Sequence, residues 1–126
     1  MESLGIMPLL NDYSLCQQTV TVYHNDGNDV TRTVWPKAYL DSKKTEGIDR
    51  TGSNEANGFL LVIPASSQAC HVGDKVMDGE GPNVPDGDAQ SWWRSMIPTK
   101  VDGLCVVRYV DVKRWAGSIV HTEAGG

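Results

Sequence analysis

The apolar positions of this chain fall in short runs, and the spacing within each run predicts its secondary structure. From Gln17 to His24 the side chains alternate between two faces, one of which carries Val20, Val22 and His24. Alternation with a period of two is typical of a β-strand. The turn-forming sequence NDGND that follows predicts a reversal of the chain into a second strand.

The second predicted strand runs from Val30 to Leu40 and is rich in β-branched and aromatic residues. Pro36 lies inside it and has no backbone N–H to donate. We therefore expect this strand to lie at the edge of a sheet or to carry a bulge at Pro36. Trp35, which precedes the proline, is restricted to extended backbone conformations.

The middle of the chain predicts a buried strand, a short strand and a helix. Gly58 to Ile63 is continuously apolar and ends at Pro64, which is typical of a strand buried on both sides. A Gly73-Asp74 turn then leads into a short strand from Lys75 to Met77. The sequence AQSWWRSMI predicts about two helical turns, with Asp88 as the N-cap and the end of the helix near Pro98.

The last part of the chain predicts a β-hairpin. Leu104 to Arg114 has the pattern of one long strand, with an apolar face that Arg108 interrupts. Gly117 is suited to the left-handed position of a bulged hairpin, and Ser118 to Thr122 forms the returning strand. We expect residues 123–126 to be a flexible tail.

Together these elements predict one all-β domain, a small barrel or sandwich of about six strands with one short helix. The chain has 126 residues, which is enough for one core and too few for two ordinary domains. Residues 1–16 precede the first strand and are expected to form an N-terminal arm.

Asp41 to Asn57 is the longest stretch with almost no apolar content, and it is predicted to be a long polar loop between the second and third strands. It contains three basic and four acidic side chains, and Ile48 is its only large apolar residue. Ordering the backbone costs about 1–2 kcal/mol per residue, whereas burying Ile48 returns only about 1.5–3 kcal/mol. We expect this loop to be held by another subunit or a partner, or to stay mobile.

Composition excludes several classes of protein. No apolar run approaches the length of a membrane span, and the first residues lack the basic region of a secretory signal, which favours an intracellular protein. Cys16, Cys70 and Cys105 are odd in number and widely spaced, as expected for reduced thiols. A net charge of -5 argues against a surface that binds nucleic acid phosphates.

Candidate catalytic and metal sites are weak in this sequence. Cys70 and His71 are adjacent with Asp74 nearby, but His24 and His121 are distant in sequence and no metal-ligand spacing is present. A second candidate is a set of acidic residues that misses the calcium-loop pattern and is better interpreted as solvated turns: Asp78, Glu80, Asp86 and Asp88. We therefore expect no catalytic residues, no metal and no cofactor, and a protein that is not an enzyme.

Trp92 and Trp93 are adjacent on the predicted short helix. Two neighbouring indoles on so short a helix cannot easily both face the core. One interpretation is that one of them anchors an interface with another chain, because aromatic residues are favoured at such positions. The alternative is that both pack on one end of the sheet.

The order of these elements resembles the head-closure, or stopper, proteins of long-tailed bacteriophages. The resemblance covers about Gln17 to Glu123 and consists of VTVYH, a long strand with a polar loop, GFLLVIP, HVGDKVMDGEG and VVRYVDVKRWAGSIVHTEAGG. It implies a β-barrel that assembles as a homo-oligomeric ring of six copies, between the portal and adaptor proteins above and the tail terminator or tail proteins below. It also implies a structural protein of the virion neck, made in the host cytoplasm.

In this family the long loop faces a central channel through which DNA passes without sequence-specific binding, and no membrane is involved. The residues of this chain in that loop position are Asp41, Lys43, Lys44, Glu46, Ile48, Asp49, Arg50 and Glu55. Two alternatives remain open. One is a tail terminator or another neck or tail completion protein. The other is a small ligand-binding or enzymatic β-barrel, which a closed polar pocket with a perturbed ionisable group would favour.

Overall fold

The structure is a computed structural model that describes residues 13–43 and 58–126. Within these ranges it contains seven strands and one short helix. The strands are β1 (Gln18–Asn25), β2 (Val30–Lys43), β3 (Gly58–Pro64), β4 (Lys75–Asp78), β5 (Leu104–Val106), β6 (Tyr109–Trp115) and β7 (Ser118–Gly125). The helix, α1, spans Ala89–Ser95 between β4 and β5. The prediction of a small all-β domain with one short helix is confirmed.

All strand pairs are antiparallel, and the order across the sheet is β5-β4-β1-β2-β3-β7-β6. The two outermost strands, β5 and β6, are consecutive in sequence and are separated only by Val107 and Arg108. The N–H of Val107 donates to Asp74 O before β4 (2.9 Å), and the N–H of Arg108 donates to Gly125 O of β7 (2.8 Å). The two ends of the sheet therefore meet at one corner, which gives the sheet its barrel-like shape.

The structure at this corner shows that one sequence prediction is wrong. Leu104 to Arg114 was predicted to be one strand, but it forms β5 and β6, which pair with different neighbours. The break also changes which positions face inward: Cys105 and Val107 belong to the core before it, and Val110 packs against the core after it. A strict period of two cannot continue through a bend at which the strand exchanges partners.

β2 also changes its neighbouring strand along its length. Its first part, to Ala38, pairs with β1, and its last part, from Tyr39 to Lys43, pairs with β3. Between the pairs Trp35–Val20 and Ala38–Gln18, two residues on β2, Pro36 and Lys37, oppose one on β1, so the strand carries a bulge at Pro36. Of the two alternatives expected at this proline, an edge or a bulge, the bulge is confirmed. A bulge leaves a residue outside the ladder, where no backbone N–H has to be donated.

Two apolar clusters form the interior of the described region. The larger lies inside the curved sheet and contains, among others, Val20, Leu61, Ile63 and Val76, each with no exposed surface. The smaller lies on the other side of β1, where Tyr23, Met96 and Leu104 pack beneath α1. β1 is therefore covered on both faces. β3 was predicted to be buried on both sides along its length, but Leu60 is 39 % exposed.

The C-terminal residues are more ordered than predicted. Residues 123–126 were expected to be a flexible tail, but Glu123 to Gly125 belong to β7, and Ala124 is completely buried. Gly125 pairs with Leu60 on one side and with Tyr109 on the other. The tail prediction is therefore wrong, because small residues fit between two strands where larger side chains do not. Of the predicted arm 1–16, residues 13–16 are described: the Tyr13 hydroxyl hydrogen-bonds to His121 of β7 and Cys16 is buried, whereas Leu15 is 66 % exposed.

Candidate functional site

The structure describes the first three residues of the predicted channel loop, and they form the stem of the β2–β3 hairpin. Asp41, Ser42 and Lys43 pair with Leu60, Phe59 and Gly58 and are therefore strand residues. The prediction that the loop begins at Asp41 is wrong by three residues. Backbone pairing with β3 holds these polar residues extended, and Asp41 and Ser42 remain exposed. Because the strand buries no apolar side chain here, the sequence pattern did not indicate that β2 continues.

The other predicted channel residues lie outside the described residues: Lys44, Glu46, Ile48, Asp49, Arg50 and Glu55. Their role stays a prediction. The structure does establish that their segment is inserted between two paired strands, at the end of the ladder formed by Lys43 and Gly58.

An exposed apolar patch, formed by Leu60 and Tyr109, lies beside this stem. Both residues pair directly with Gly125, one from each neighbouring strand, and directly paired residues project from the same face of a sheet. Leu60 is 39 % and Tyr109 is 51 % exposed. The Tyr109 ring covers Gly125 so closely that any larger residue at position 125 would displace it. We call these two side chains the Leu60–Tyr109 patch.

The helix forms where the sequence predicts it. Asp88 is the N-cap, and its carboxylate accepts a hydrogen bond from Ser91 N (3.0 Å). Both indoles are half-buried and pack against the smaller core cluster. Trp92 meets the Tyr23 ring edge-on at 5.4 Å, and Trp93 lies under the Lys75 ammonium group at 4.2 Å. The premise that the two indoles cannot both face the core is wrong, whereas an intermolecular contact by either stays a prediction.

Lys75 is a residue whose importance the sequence did not indicate. Its side chain is buried, and Nζ donates hydrogen bonds to the carbonyl oxygens of Trp93 (2.7 Å) and Met96 (2.5 Å) at the end of α1. Burial lowers the pKa of this amine. The ammonium group thus satisfies carbonyls that a helix end leaves without partners.

Three candidate metal ligands that are distant in sequence come together at the end of β1. The ligand atoms of His24, His71 and Asp74 all lie within 4.8 Å of one another. His24 Nδ1 is 2.6 Å from Asp74 Oδ1, and His71 Nδ1 is 3.8 Å from Asp74 Oδ2. His71 and Asp74 are close together in the sequence, whereas His24 is distant from both. The pairing of β1 with β4 removes that separation.

Cys70, the candidate nucleophile next to His71, has no exposed surface. Burial raises the pKa of the Cys70 thiol to about 12, and the negative charge of Asp74 adds to the effect. A thiol with so high a pKa is not the thiolate that nucleophilic catalysis requires. Cys16 and Cys105 are also buried and free, and burial raises the pKa of each.

The acidic candidates Asp78, Glu80, Asp86 and Asp88 are exposed, and within the described ranges they form no group with mutually close ligand atoms. Part of this segment is nevertheless fixed. The N–H of Gly81 donates to Thr21 Oγ1 (2.8 Å), and the Arg32 guanidinium donates to Gly81 O. A Cβ at Gly81 would collide with the Tyr23 hydroxyl. A surface pocket of about 500 Å³ lies between residues 28–30 and 84–90.

No family model matches the sequence, and neither a curated protein nor a solved structure matches it significantly. Across the described residues, no helix is long and apolar enough to cross a membrane.

Proposed function

We propose that the protein is a structural component of the head-tail connector of a long-tailed bacteriophage. In this role it assembles as a ring that closes the portal channel, retains packaged DNA and provides the surface to which the tail attaches. The observation that carries the proposal is the β2–β3 hairpin, which presents the polar segment 44–57 from the end of a ladder that the barrel holds in place.

The hairpin meets the geometric requirement for a loop that reaches toward a ring axis. Segment 44–57 starts and ends on directly paired residues, Lys43 and Gly58. Fourteen residues extend at most about 23 Å out and back, at roughly 3.3 Å per residue. Ile48 is the only large apolar residue of this segment, so the segment offers little apolar area to a core, and its length and sequence are free to serve assembly.

The Leu60–Tyr109 patch supports a contact between copies of the chain. Leu60 and Tyr109 lie on the same face of the sheet, on either side of Gly125, and exposed apolar residues grouped on one face favour protein association more than scattered ones do. The half-buried indoles of Trp92 and Trp93 provide a second candidate contact surface. A protein with a net charge of -5 does not trap a polyanion that must pass through the ring.

The first experiment measures the mass of the purified protein, alone and with portal complexes from the same phage. We expect a closed ring in at least one condition, and we expect Leu60→Ser combined with Tyr109→Ser to prevent it while leaving the monomer folded. Val72→Ser is the matched control, because Val72 is 65 % exposed and lies on the turn before β4, outside the patch. A chain that stays monomeric in both conditions contradicts the proposal.

The second experiment replaces residues 44–57 by a short Gly-Ser turn in the phage genome. The variant ring should assemble, and filled heads should lose DNA or fail to give infectious particles. Particles that retain their DNA and infect normally would show that the segment has no closing role.

A further inference from the structure

His24, His71 and Asp74 form a group with the composition of a transition-metal site, and its anchor is fixed by the fold. Asp74 is 3 % exposed, and its Oδ2 accepts a hydrogen bond from His71 N (2.8 Å). Its backbone oxygen accepts from Val107 N at the corner where the sheet ends meet. Gly73 at φ 96° produces the turn that directs Asp74 inward. One ligand is therefore already held in place before any ion binds.

The charge of the group favours a cation. Among the described residues, the ion-pair partners within reach of the Asp74 carboxylate are the two imidazoles, with no lysine or arginine. A buried carboxylate without a permanent positive partner is costly unless it is hydrogen-bonded or coordinates a metal. A divalent ion would supply the missing charge and would take the place of the hydrogen bond between His24 Nδ1 and Asp74 Oδ1.

The distances require only small adjustments. Metal-ligand bonds of about 2.0–2.2 Å in a tetrahedral arrangement place ligand atoms about 3.4 Å apart. His24 Nδ1 is 2.6 Å from Asp74 Oδ1, and His71 Nδ1 is 3.8 Å from the other carboxylate oxygen, Oδ2. One ligand atom from each residue lies within 4.8 Å of the other two, so rotation of the side chains brings all three onto one ion. Both imidazoles lie at the surface, with side chains 41 % and 53 % exposed. They can therefore rotate, and water can reach the ion.

We propose that His24, His71 and Asp74 bind one divalent transition-metal ion of the Zn²⁺ type, with water completing its coordination. Two imidazoles and one carboxylate suit zinc, nickel or cobalt, whereas magnesium and calcium prefer sites made only of oxygen ligands. The ion joins the end of β1 to the turn before β4. It adds to the stability of this corner and is not required for folding, because Asp74 already has hydrogen-bond partners in its absence.

The test is a calorimetric titration of the tag-free protein with ZnCl₂. We expect one ion per chain, at least a tenfold loss of affinity in His71→Gln and in His24→Gln, and little binding of Ca²⁺ or Mg²⁺. Glu80→Gln is the matched control, since Glu80 is an exposed carboxylate outside the group, and it should bind zinc like the unchanged protein. Saturating zinc should raise the melting temperature by a few degrees, and not in His71→Gln.

NMR provides a readout that does not depend on a variant. The ring resonances of His24 and His71 should shift on adding zinc, whereas those of His121, which is 1 % exposed, should not. The proposal is wrong if stoichiometric zinc binding is absent at micromolar concentration, if it survives in both histidine variants, or if calcium competes equally.

Discussion

At the scale of single residues, His121 connects the two ends of the described chain. Its ring is 1 % exposed, Nδ1 lies 2.8 Å from the Tyr13 hydroxyl, and Nε2 lies 3.0 Å from Glu123 Oε2. The Tyr13 ring also packs edge-on against the imidazole at 5.5 Å. Both polar atoms of a buried side chain are thus satisfied, one from before β1 and the other from β7.

Tyr13→Phe should destabilise the protein by about 1–3 kcal/mol, because it leaves Nδ1 of the buried imidazole without its partner. The measurement is the free energy of unfolding in urea. Tyr109→Phe is the control, since Tyr109 is 51 % exposed, and it should change the stability by less than about 0.5 kcal/mol. Equal stabilities of the two variants would show that the Tyr13 hydroxyl contributes nothing.

Tyr13 also predicts a dependence on pH. Burial, and to a smaller extent the charges of Cys16 and Glu123, raise the pKa of Tyr13 from 10.0 to about 12. As the pH rises, the Tyr13 hydroxyl therefore loses its proton at a lower pH in the unfolded chain than in the folded protein. This contribution to stability is fully present below pH 10 and is lost as the pH rises to about 12. Between these values, the stability of the unchanged protein should fall more steeply than that of Tyr13→Phe.

At the scale of elements, α1 depends on a strand beneath it rather than on its own length. A helix of seven residues is too short to be stable alone in water. Lys75 of β4 donates to two carbonyls at its C-terminal end, and Trp92 and Trp93 pack over the smaller cluster. The cap at Asp88 sets where the helix begins, and β4 holds its end in place.

Lys75→Met should therefore loosen α1 and cost about 1–3 kcal/mol, because two carbonyls lose their donor while the side-chain volume is nearly kept. Hydrogen exchange of amides 92–96 measures the effect. Lys113→Met is the matched control: Lys113 pairs with Asp111 at the surface, so its loss should cost at most about 1 kcal/mol. Unchanged exchange in Lys75→Met would contradict this role.

At the scale of the whole molecule, the last residues complete the sheet. Gly125 and Ala124 pair with β3 on one side and with β6 on the other, and Gly125 O accepts the hydrogen bond from Arg108 N at the corner. Phe59 and the Val106 carbonyl lie so close to Gly126 that a side chain there would collide with them. The C-terminus is therefore part of the barrel-like core.

Deleting residues 124–126 should destabilise the whole domain by several kcal/mol, a large share of the roughly 5–15 kcal/mol that stabilises a typical domain. Scanning calorimetry measures this as a large drop in the melting temperature. A chain extended by Gly-Ser after Gly126 is the control, because Gly126 itself is exposed, and its melting temperature should stay close to that of the unchanged protein. A truncated protein of full stability would restore the flexible-tail prediction.

Several elements were predictable because their signals are local. The alternation around Val20 and Val22 predicted β1, and the acidic cap before Ala89 predicted α1. The missing N–H of Pro36 predicted an edge or a bulge in β2, and the bulge is present. Each depends on backbone chemistry within a few residues. The buried free cysteines were likewise predictable, from their number and spacing.

The candidate site was predictable only in part. Residues within one turn, such as His71 and Asp74, could be placed near each other from sequence spacing. His24 could not, because its distance to Asp74 depends on β1 pairing with β4 across about fifty intervening residues. The role of Lys75 was hidden for the same reason, since its partners lie on a helix 18 and 21 residues away.

By itself, the sequence determined the all-β class, the positions of most strands and turns, and the start of the helix, because these follow from side-chain period, caps and restricted backbone angles. Only the tertiary structure decided that Leu104 to Arg114 bends into two strands, that Asp41 to Lys43 and the C-terminal residues are paired, and that two histidines meet one buried carboxylate. These features depend on hydrogen bonds between segments distant in the chain, and such partners leave no periodic signal in either segment.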